Sequence, residues 1–307
     1  VNCRDHIIRM QQLISASDDK KNYPVNNINI TIDDDGIVTL MNDGNGIDVS
    51  IHPEYKIWIP ELIFGHLRTS TNYDKSEKKI VGGKNGFGFK LVLIWSSWGK
   101  IETVDAKTGQ KYVQEFKDNL NTIEKPTITK TKIKPYTSVS FKPDFKRLGI
   151  EGFSDDFKAL LKRRVYDIAA VSPKTVKVKY NDEVLQVKSF QEYIDLYIGS
   201  KTETPRIYEE ANERWEYAVC LAPKEEFTQI SFVNGIYTSK GGKHVDYIIG
   251  QIVKKLTIYI KEKKHIDVKP ASIKEQLMIF VNCTIENPAF DSQTKDYLNS
   301  AVSNFGS

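Results

Sequence analysis

Apolar and polar residues alternate along Asn27–Ile32 and again along Ile37–Met41, with Asp33–Gly36 between them. A period of two on either side of a turn predicts a β-hairpin. Ahead of it, Asn2–Leu13 has the spacing of the tail of a helix, and polar Ser15–Asn27 reads as an exposed loop. Pro60–Leu67 suits a short helix with proline near its first turn. Polar, glycine-bearing Thr69–Asn85 runs into Gly86–Trp95, which is apolar enough for a buried helix. Ile101–Asp105 and Lys111–Phe116 predict a second hairpin across Ala106–Gln110, and Pro126–Ile133 and Thr137–Lys142 add two strands. Phe157, Leu160, Leu161, Val165 and Ile168 then recur at helical spacing behind Ser154–Asp155, a cap. Thr175–Tyr180 and Glu183–Val187 flank an Asn181–Asp182 turn.

After about residue 187 the pattern restarts. Trp215–Leu221 and Gln229–Asn234 look like strands, and Val245, Ile248, Ile249, Ile252, Val253, Leu256 and Ile260 make a long apolar helical stripe. Leu277–Cys283 is a buried strand, followed by a loop over Thr284–Lys295. A boundary near Lys188 therefore separates two mixed α and β halves, residues 1–187 and 188–307.

Composition narrows the class without naming a function. Of 307 residues, 40% are hydrophobic and 27% charged, the profile of a soluble globular protein. No window reaches the roughly 18 consecutive apolar residues of a transmembrane helix, and Arg4, Asp5 and Arg9 do not suit a signal peptide. Cys3, Cys220 and Cys283 match neither a disulfide framework nor a zinc knuckle, so a reducing compartment is expected, with Cys220 and Cys283 in the core. The net charge of +4 is too small to argue for nucleic-acid binding by itself.

Two glycine-rich elements carry the candidate chemistry. Asn42-Asp-Gly-Asn-Gly46 directly follows a strand; its glycines let backbone approach a ligand closely, and Asn42 can read a base edge. Taken alone, the same residues more readily make a strand-ending turn, since Asn and Gly are the default turn residues. Gly82-Gly-Lys-Asn-Gly-Phe-Gly88 opens a helical pattern, where successive backbone N–H groups form a nest for phosphate oxygens. It lacks the Gly-Lys-Ser/Thr ending of a P-loop, no strand leads into it as a dinucleotide fingerprint requires, and no kinase motif follows.

Together, an Asn in a first helix, a strand-terminal Asn-x-Gly-x-Gly and a Gly-x-x-Gly-x-Gly opening a helix resemble the GHKL ATPase superfamily. Leu67-Arg-Thr-Ser-Thr-Asn-Tyr73, Gly82–Lys90, Arg163-Arg-Val-Tyr-Asp-Ile-Ala169, Ser239-Lys-Gly-Gly-Lys-His-Val-Asp-Tyr247 and Asn287-Pro-Ala-Phe-Asp-Ser-Gln-Thr-Lys295 narrow the resemblance to eukaryotic-type type IIA DNA topoisomerases, in the same order over nearly the whole chain. The resemblance implies an α+β chain: a GHKL (Bergerat) ATPase α/β sandwich over residues 1–187, then a transducer domain of ribosomal-S5-domain-2-like type over residues 188–307. It implies ATP and Mg²⁺ as cofactors, with Asn2 holding the metal. Asn42, with Gly44 and Gly46, would read the adenine amino group; Ser70, Thr71 and Asn72 would contact the ribose and phosphates; Ile47, Ile63 and Thr69 would also belong to the ATP site. Gly83, Lys84, Asn85, Gly86, Phe87, Gly88 and Lys90 would enclose the triphosphate. Gln293 and Lys295 would reach the γ-phosphate, where an ammonium neutralises charge as the P–O bond breaks. The resemblance attaches no role to Ser239–Tyr247.

In such a protein ATP closes a homodimeric gate on double-stranded DNA, with no membrane involved; the motifs suggest a nucleus or a large DNA virus. The family's general base, a glutamate four residues before the metal-binding Asn, would lie ahead of Val1, as would the exchanged N-terminal strap. The sequence as given is expected to bind ATP without activating water, and to leave DNA cleavage to other domains. Phe87 and Phe89 stand where the family more often has Tyr and Ala; the lost hydroxyl removes at most one hydrogen bond, about 1 kcal/mol. A nucleotide-operated dimerisation clamp and a mismatch-repair or chaperone-type GHKL ATPase are the alternatives.

Overall fold

The alternating segments on either side of Asp33–Gly36 form an antiparallel pair, β1 and β2, in the computed structural model, which describes residues 1–16, 22–66, 80–81, 86 and 88–305. The chain divides into two compact units; among the described residues the first ends at Lys188, and the second holds residues 189–305 together with residues 80–81.

In the first unit the order is α1 (Asn2–Ala16), β1 (Asn27–Ile32), β2 (Val38–Asp43), α2 (Ile59–Gly65), α3 (Gly88–Ile94), β3 (Ser96–Val104) and β4 (Gln110–Lys117). Then come β5 (Thr122–Ile123), β6 (Thr127–Lys130), β7 (Tyr136–Pro143), α4 (Phe145–Leu148), α5 (Asp155–Ala170), β8 (Lys177–Tyr180) and β9 (Glu183–Val184). The strands form one sheet in the order β5-β4-β3-β7-β2-β1-β8-β9, with β6 also on β4. Ile30, Leu40, Val139 and Ile101 stand in register across β1, β2, β7 and β3. Residues opposite one another in a ladder share a face, so this row is a single apolar ridge. Ile7 and Met10 of α1 and Val165 and Ala169 of α5 cluster with Ile28 and Ile30 at one end of it. Phe64 of α2 and Leu93 of α3 cluster with Ile101, Phe116 and Val139 at the other. All four helices thus cover one face. The other face carries polar pairs: Thr39 with Ser140 at 2.8 Å, and Glu102 with Lys111 at 3.0 Å. This is a two-layer α/β sandwich.

Two helices are less buried than their sequences suggest. Leu91 and Trp95 of the α3 region are exposed, and the guanidinium of Arg147 sits 4.1 Å over the Trp95 ring. On α5, which Ser154 caps by accepting from the Phe157 amide at 3.2 Å, the apolar stripe is buried only from Val165 onward, and Phe157 and Leu160 face solvent.

The second unit runs α6 (Phe190–Ile198), β10 (Arg206–Asn212), β11 (Trp215–Leu221), β12 (Thr228–Val233), β13 (Ile236–Tyr237), α7 (Lys243–Lys264), α8 (Pro270–Glu275) and β14 (Leu277–Cys283). Its sheet order is β10-β11-β14-β12-β13, with β12 and β14 parallel. Ile279, Val281 and Cys283 of central β14 pack with Val245, Ile249 and Val253 of α7. On the opposite face Phe280 meets Tyr197 of α6, and Phe232 of β12 meets Phe190 and Tyr193. Cover on both sides is why β14 is apolar at nearly every position. Neither α6 nor β10 is predicted from the sequence pattern.

Candidate functional site

The Asn42–Gly46 segment turns off the end of β2 and is held from several directions. Asp43 accepts from the Asn26 amide at 2.7 Å, the Asn27 amide at 2.9 Å and the Asn27 side chain at 2.8 Å, so its carboxylate is a clasp for the incoming chain. Asn45 accepts from the Tyr23 amide at 2.7 Å and donates to Asn22 at 2.8 Å. Asp43 and Asn45 therefore work on protein. Asn42 is almost buried and donates to the Asp43 carbonyl at 2.7 Å.

The two glycines are required by geometry. Gly44 has φ +112, and a Cβ there would lie 2.6 Å from Nε2 of His6 and 2.9 Å from Val25. Gly46 has φ +71, and its Cβ would be driven into the Val104 carbonyl oxygen. Both positions lie in backbone conformations that L side chains avoid. The contact with His6 seats the loop on α1, one helical turn along from Asn2, which is exposed as the first residue of that helix. Burial lowers the His6 pKa to about 4, so the ring is neutral at pH 7. His6 carries no motif, and its place under Gly44 depends on a contact between segments distant in sequence.

Beyond the loop, the Ile47 amide donates to the buried Thr103 hydroxyl at 3.0 Å, and Ile47 and Ile63 pack on the Phe64–Leu93 cluster. That cluster supports α3, whose first residues include Gly88 and Lys90. Gly86 has φ +66, and Lys90 folds back to donate to its carbonyl at 2.7 Å. Burial pushes the Lys90 pKa down to about 8. A Cβ at Gly88 would meet no described atom within 4 Å, so packing among the described residues does not demand glycine there. Phe89 packs edge-on against Phe64 and Phe141.

The structure thus brings Asn2, Asn42, Gly44 and Gly46 onto one α1–β2 corner, and Ile47, Ile63, Gly86, Gly88 and Lys90 around one cluster beside it. Thr69, Ser70, Thr71, Asn72, Gly83, Lys84, Asn85 and Phe87 lie outside the described residues. Gln293 and Lys295 belong to the second unit, on the loop after β14; Lys295 has φ +59 and its amide donates to the Ser292 carbonyl at 3.2 Å. The Arg163–Ala169 motif is largely structural: Val165 and Ala169 fill the α1–α5 core and Arg164 pairs with buried Asp167 at 3.2 Å. Among the described residues no cluster of His, Cys, Asp or Glu could hold a metal by itself, and no helix is long and apolar enough to cross a membrane.

Comparison with known proteins gives one consistent answer. The family profile described as DNA gyrase B matches residues 188–305. A probable DNA topoisomerase 2 from Dictyostelium discoideum is 46% identical over 301 residues, an alignment that covers 96% of this chain and 20% of that protein. The chain therefore spans about a fifth of the length of that curated relative. The crystal structure of the ATPase region of Saccharomyces cerevisiae topoisomerase II superposes with a TM-score of 0.87 at 42% identity, covering 99% of this chain and 79% of that one. The ATPase and transducer domains of DNA topoisomerase II from Balamuthia mandrillaris give a TM-score of 0.88 at 36% identity, covering 99% and 78%.

Proposed function

This chain belongs to the type II DNA topoisomerase family, as the counterpart of its ATPase region, and from that premise we propose that it binds ATP with Mg²⁺ and serves as the nucleotide-operated gate of a longer enzyme. The observation that supports the reading is the seating of the Asn42–Gly46 loop on α1, where Gly44 lies against His6 one helical turn from Asn2.

In this reading Asn42 takes the adenine amino group, with Ile47 and Ile63 flanking the base. Thr69, Ser70, Thr71 and Asn72 take the ribose and phosphates. Gly83 to Gly88 and Lys90 wrap the triphosphate with backbone N–H groups and one ammonium. Lys90 suits that role because burial already disfavours its charge, and a triphosphate restores the lost stabilisation. The donor set fits Mg²⁺, which needs only one or two protein oxygens when phosphates and waters supply the others; the Asn2 amide is such a donor. Bound there, the metal would neutralise phosphate charge. Gln293 and Lys295 sense the γ-phosphate, so that ATP and ADP are distinguished. In the longer enzyme the family's upstream glutamate would activate water, and ATP would join two copies of the gate around a DNA duplex destined for passage through another. Such an enzyme acts where the DNA is, in a nucleus or a large DNA virus.

Light scattering in Mg²⁺ tests the gate. The expected result is a doubling of molar mass with a non-hydrolysable ATP analogue and none with ADP, and an Asn2→Ala variant that no longer responds to Mg²⁺. A chain that binds the analogue yet stays at monomer mass at every concentration tried argues against a gate.

A further inference from the structure

The motif Ser239–Tyr247 has no role in the reading above, and the second unit shows what it holds. Lys240 donates its amide to the Asp296 carbonyl at 3.0 Å, Leu298 to Gly241 at 3.1 Å, and Lys243 to Leu298 at 3.0 Å. These bonds zip residues 240–243 onto residues 296–298. Only glycine fits within the zip: Gly242 has φ +141, and a Cβ there would lie 2.5 Å from the Leu298 nitrogen and 2.6 Å from its oxygen. Gly242 is also the N-cap of α7, and Lys243 ties the same helix to the Asn299 carbonyl at 2.9 Å through Nζ.

At the end of the zip stands Asp296, next in sequence to Lys295. Its carboxylate accepts from the Thr294 hydroxyl at 2.9 Å and from the Ser239 side chain, and lies 3.7 Å from Lys240 Nζ. Those groups, the Thr294 hydroxyl foremost, hold the Asp296 carboxyl below the usual carboxylate range. Lys295 sits between two anchored residues in a left-handed conformation that L side chains rarely adopt. Such a conformation persists where the surroundings over-determine it.

We propose that Asp296 is the positioning residue for Lys295: by gripping Thr294 on one side and Ser239–Lys240 on the other, its carboxylate fixes the Gln293–Lys295 turn to the frame that starts α7 and sets the direction in which the lysine leaves the turn. The proposal rests on the reading of Lys295 as the γ-phosphate sensor. It also accounts for the Ser239–Tyr247 motif. The first half of that motif is the rail on which the sensor turn is mounted, and the second half is the first turn of the helix that carries the rail.

The test is calorimetric titration of the 307-residue chain with ADP and with a non-hydrolysable ATP analogue, reading the ratio of the two affinities, alongside thermal unfolding of each variant. Lys295→Ala and Asp296→Ala are both expected to cut the preference for triphosphate by about fivefold or more. Asp296→Asn, which keeps an acceptor for the Thr294 and Ser239 hydroxyls, should retain most of that preference. Thr294→Val removes the bond to Asp296, along with the hydroxyl contact to Ser292 at 2.7 Å, and no charge; it should cost about twofold, which keeps the question answerable should Asp296→Ala fail to fold. A purely structural role would lower the melting temperature, or both affinities together, and leave the ratio alone. If Lys295→Ala leaves the ratio unchanged, the sensor reading fails and the positioning role with it. If Lys295→Ala cuts the ratio while Asp296→Ala and Thr294→Val do not, the sensor stands and Asp296 is not what positions it.

Discussion

Gly46 turns back on the end of β3 so tightly that any side chain there would be driven into the carbonyl oxygen of Val104. The positive φ adds its own cost, about 1–2 kcal/mol for a residue with a Cβ. Gly46→Ala is therefore expected to destabilise the chain by at least about 2 kcal/mol in urea unfolding, because either the loop or the strand end must move. Unchanged stability would mean that the loop is free to shift away from β3.

Gly88 makes the opposite case. Its Cβ would meet no described atom and its φ is not positive, so Gly88→Ala should not lower stability. If the position is glycine because phosphate approaches it, the same substitution should weaken binding of an ATP analogue by about tenfold or more. Gly46→Ala and Gly88→Ala thus separate a glycine kept for packing from one kept for a ligand, and equal effects on melting and binding in both would remove the distinction.

If Lys90 lies beside phosphate as proposed, nucleotide binding is expected to be coupled to pH. Its folded pKa is about 8 against 10.5 for the free side chain, so between those values the unfolded chain holds more protons than the folded one. Stability should rise as pH climbs from about 8 toward 10.5, and the rise should vanish in Lys90→Met. A triphosphate beside the ammonium raises its proton affinity, so binding at about pH 8 should take up protons, seen as a dependence of calorimetric heat on the buffer's ionisation enthalpy. Lys90→Met should abolish that uptake while stabilising the nucleotide-free chain at neutral pH. Proton release on binding to the parent chain would count against Lys90 lying beside phosphate.

Half-buried His6 and fully buried His244 predict acid lability, with the same sign as Lys90 but in a lower pH window. Burial lowers His6 to about 4 and His244 to about 3, from 6.5. As pH falls below 6.5 the unfolded state takes up those protons first, so stability is full above that value and is lost progressively toward pH 3, at up to about 1.4 kcal/mol per pH unit for each ring. His244 is fully buried, with Nε2 3.2 Å from the Thr238 hydroxyl. His244→Gln should flatten the pH profile of unfolding in this window relative to the parent chain. A profile that keeps its slope would assign the acid loss elsewhere.

What the sequence disclosed and what it hid follow from where each element meets water. The β1–β2 hairpin, the α7 stripe and apolar β14 each bury a face, and burial writes a period into the sequence; the exposed Asn181–Asp182 turn was marked instead by its turn-forming residues, both at positive φ. β10 is an edge strand with most of its residues exposed, so no apolar alternation marks it. α6 carries a Ser189 cap that accepts from the Glu192 amide at 3.2 Å, yet its nine residues are too short for a stripe to stand out. At the candidate site, Asn2, Asn42 and the glycines stand out in the sequence because the resembled family carries those residue types in that order. His6 under Gly44 and Asp296 beside Lys295 do not, since each gains its meaning from a contact between segments distant in sequence.

The most direct test of the nucleotide site is a calorimetric titration of the chain with a non-hydrolysable ATP analogue in Mg²⁺, run on the parent chain, Asn42→Ala and Gly86→Val. The account predicts saturable one-site binding to the parent. It also predicts a loss of about tenfold or more in both variants, which should still unfold cooperatively. Equal binding by all three chains, or binding that ignores both the Asn42 loop and the Gly86 turn, would contradict it.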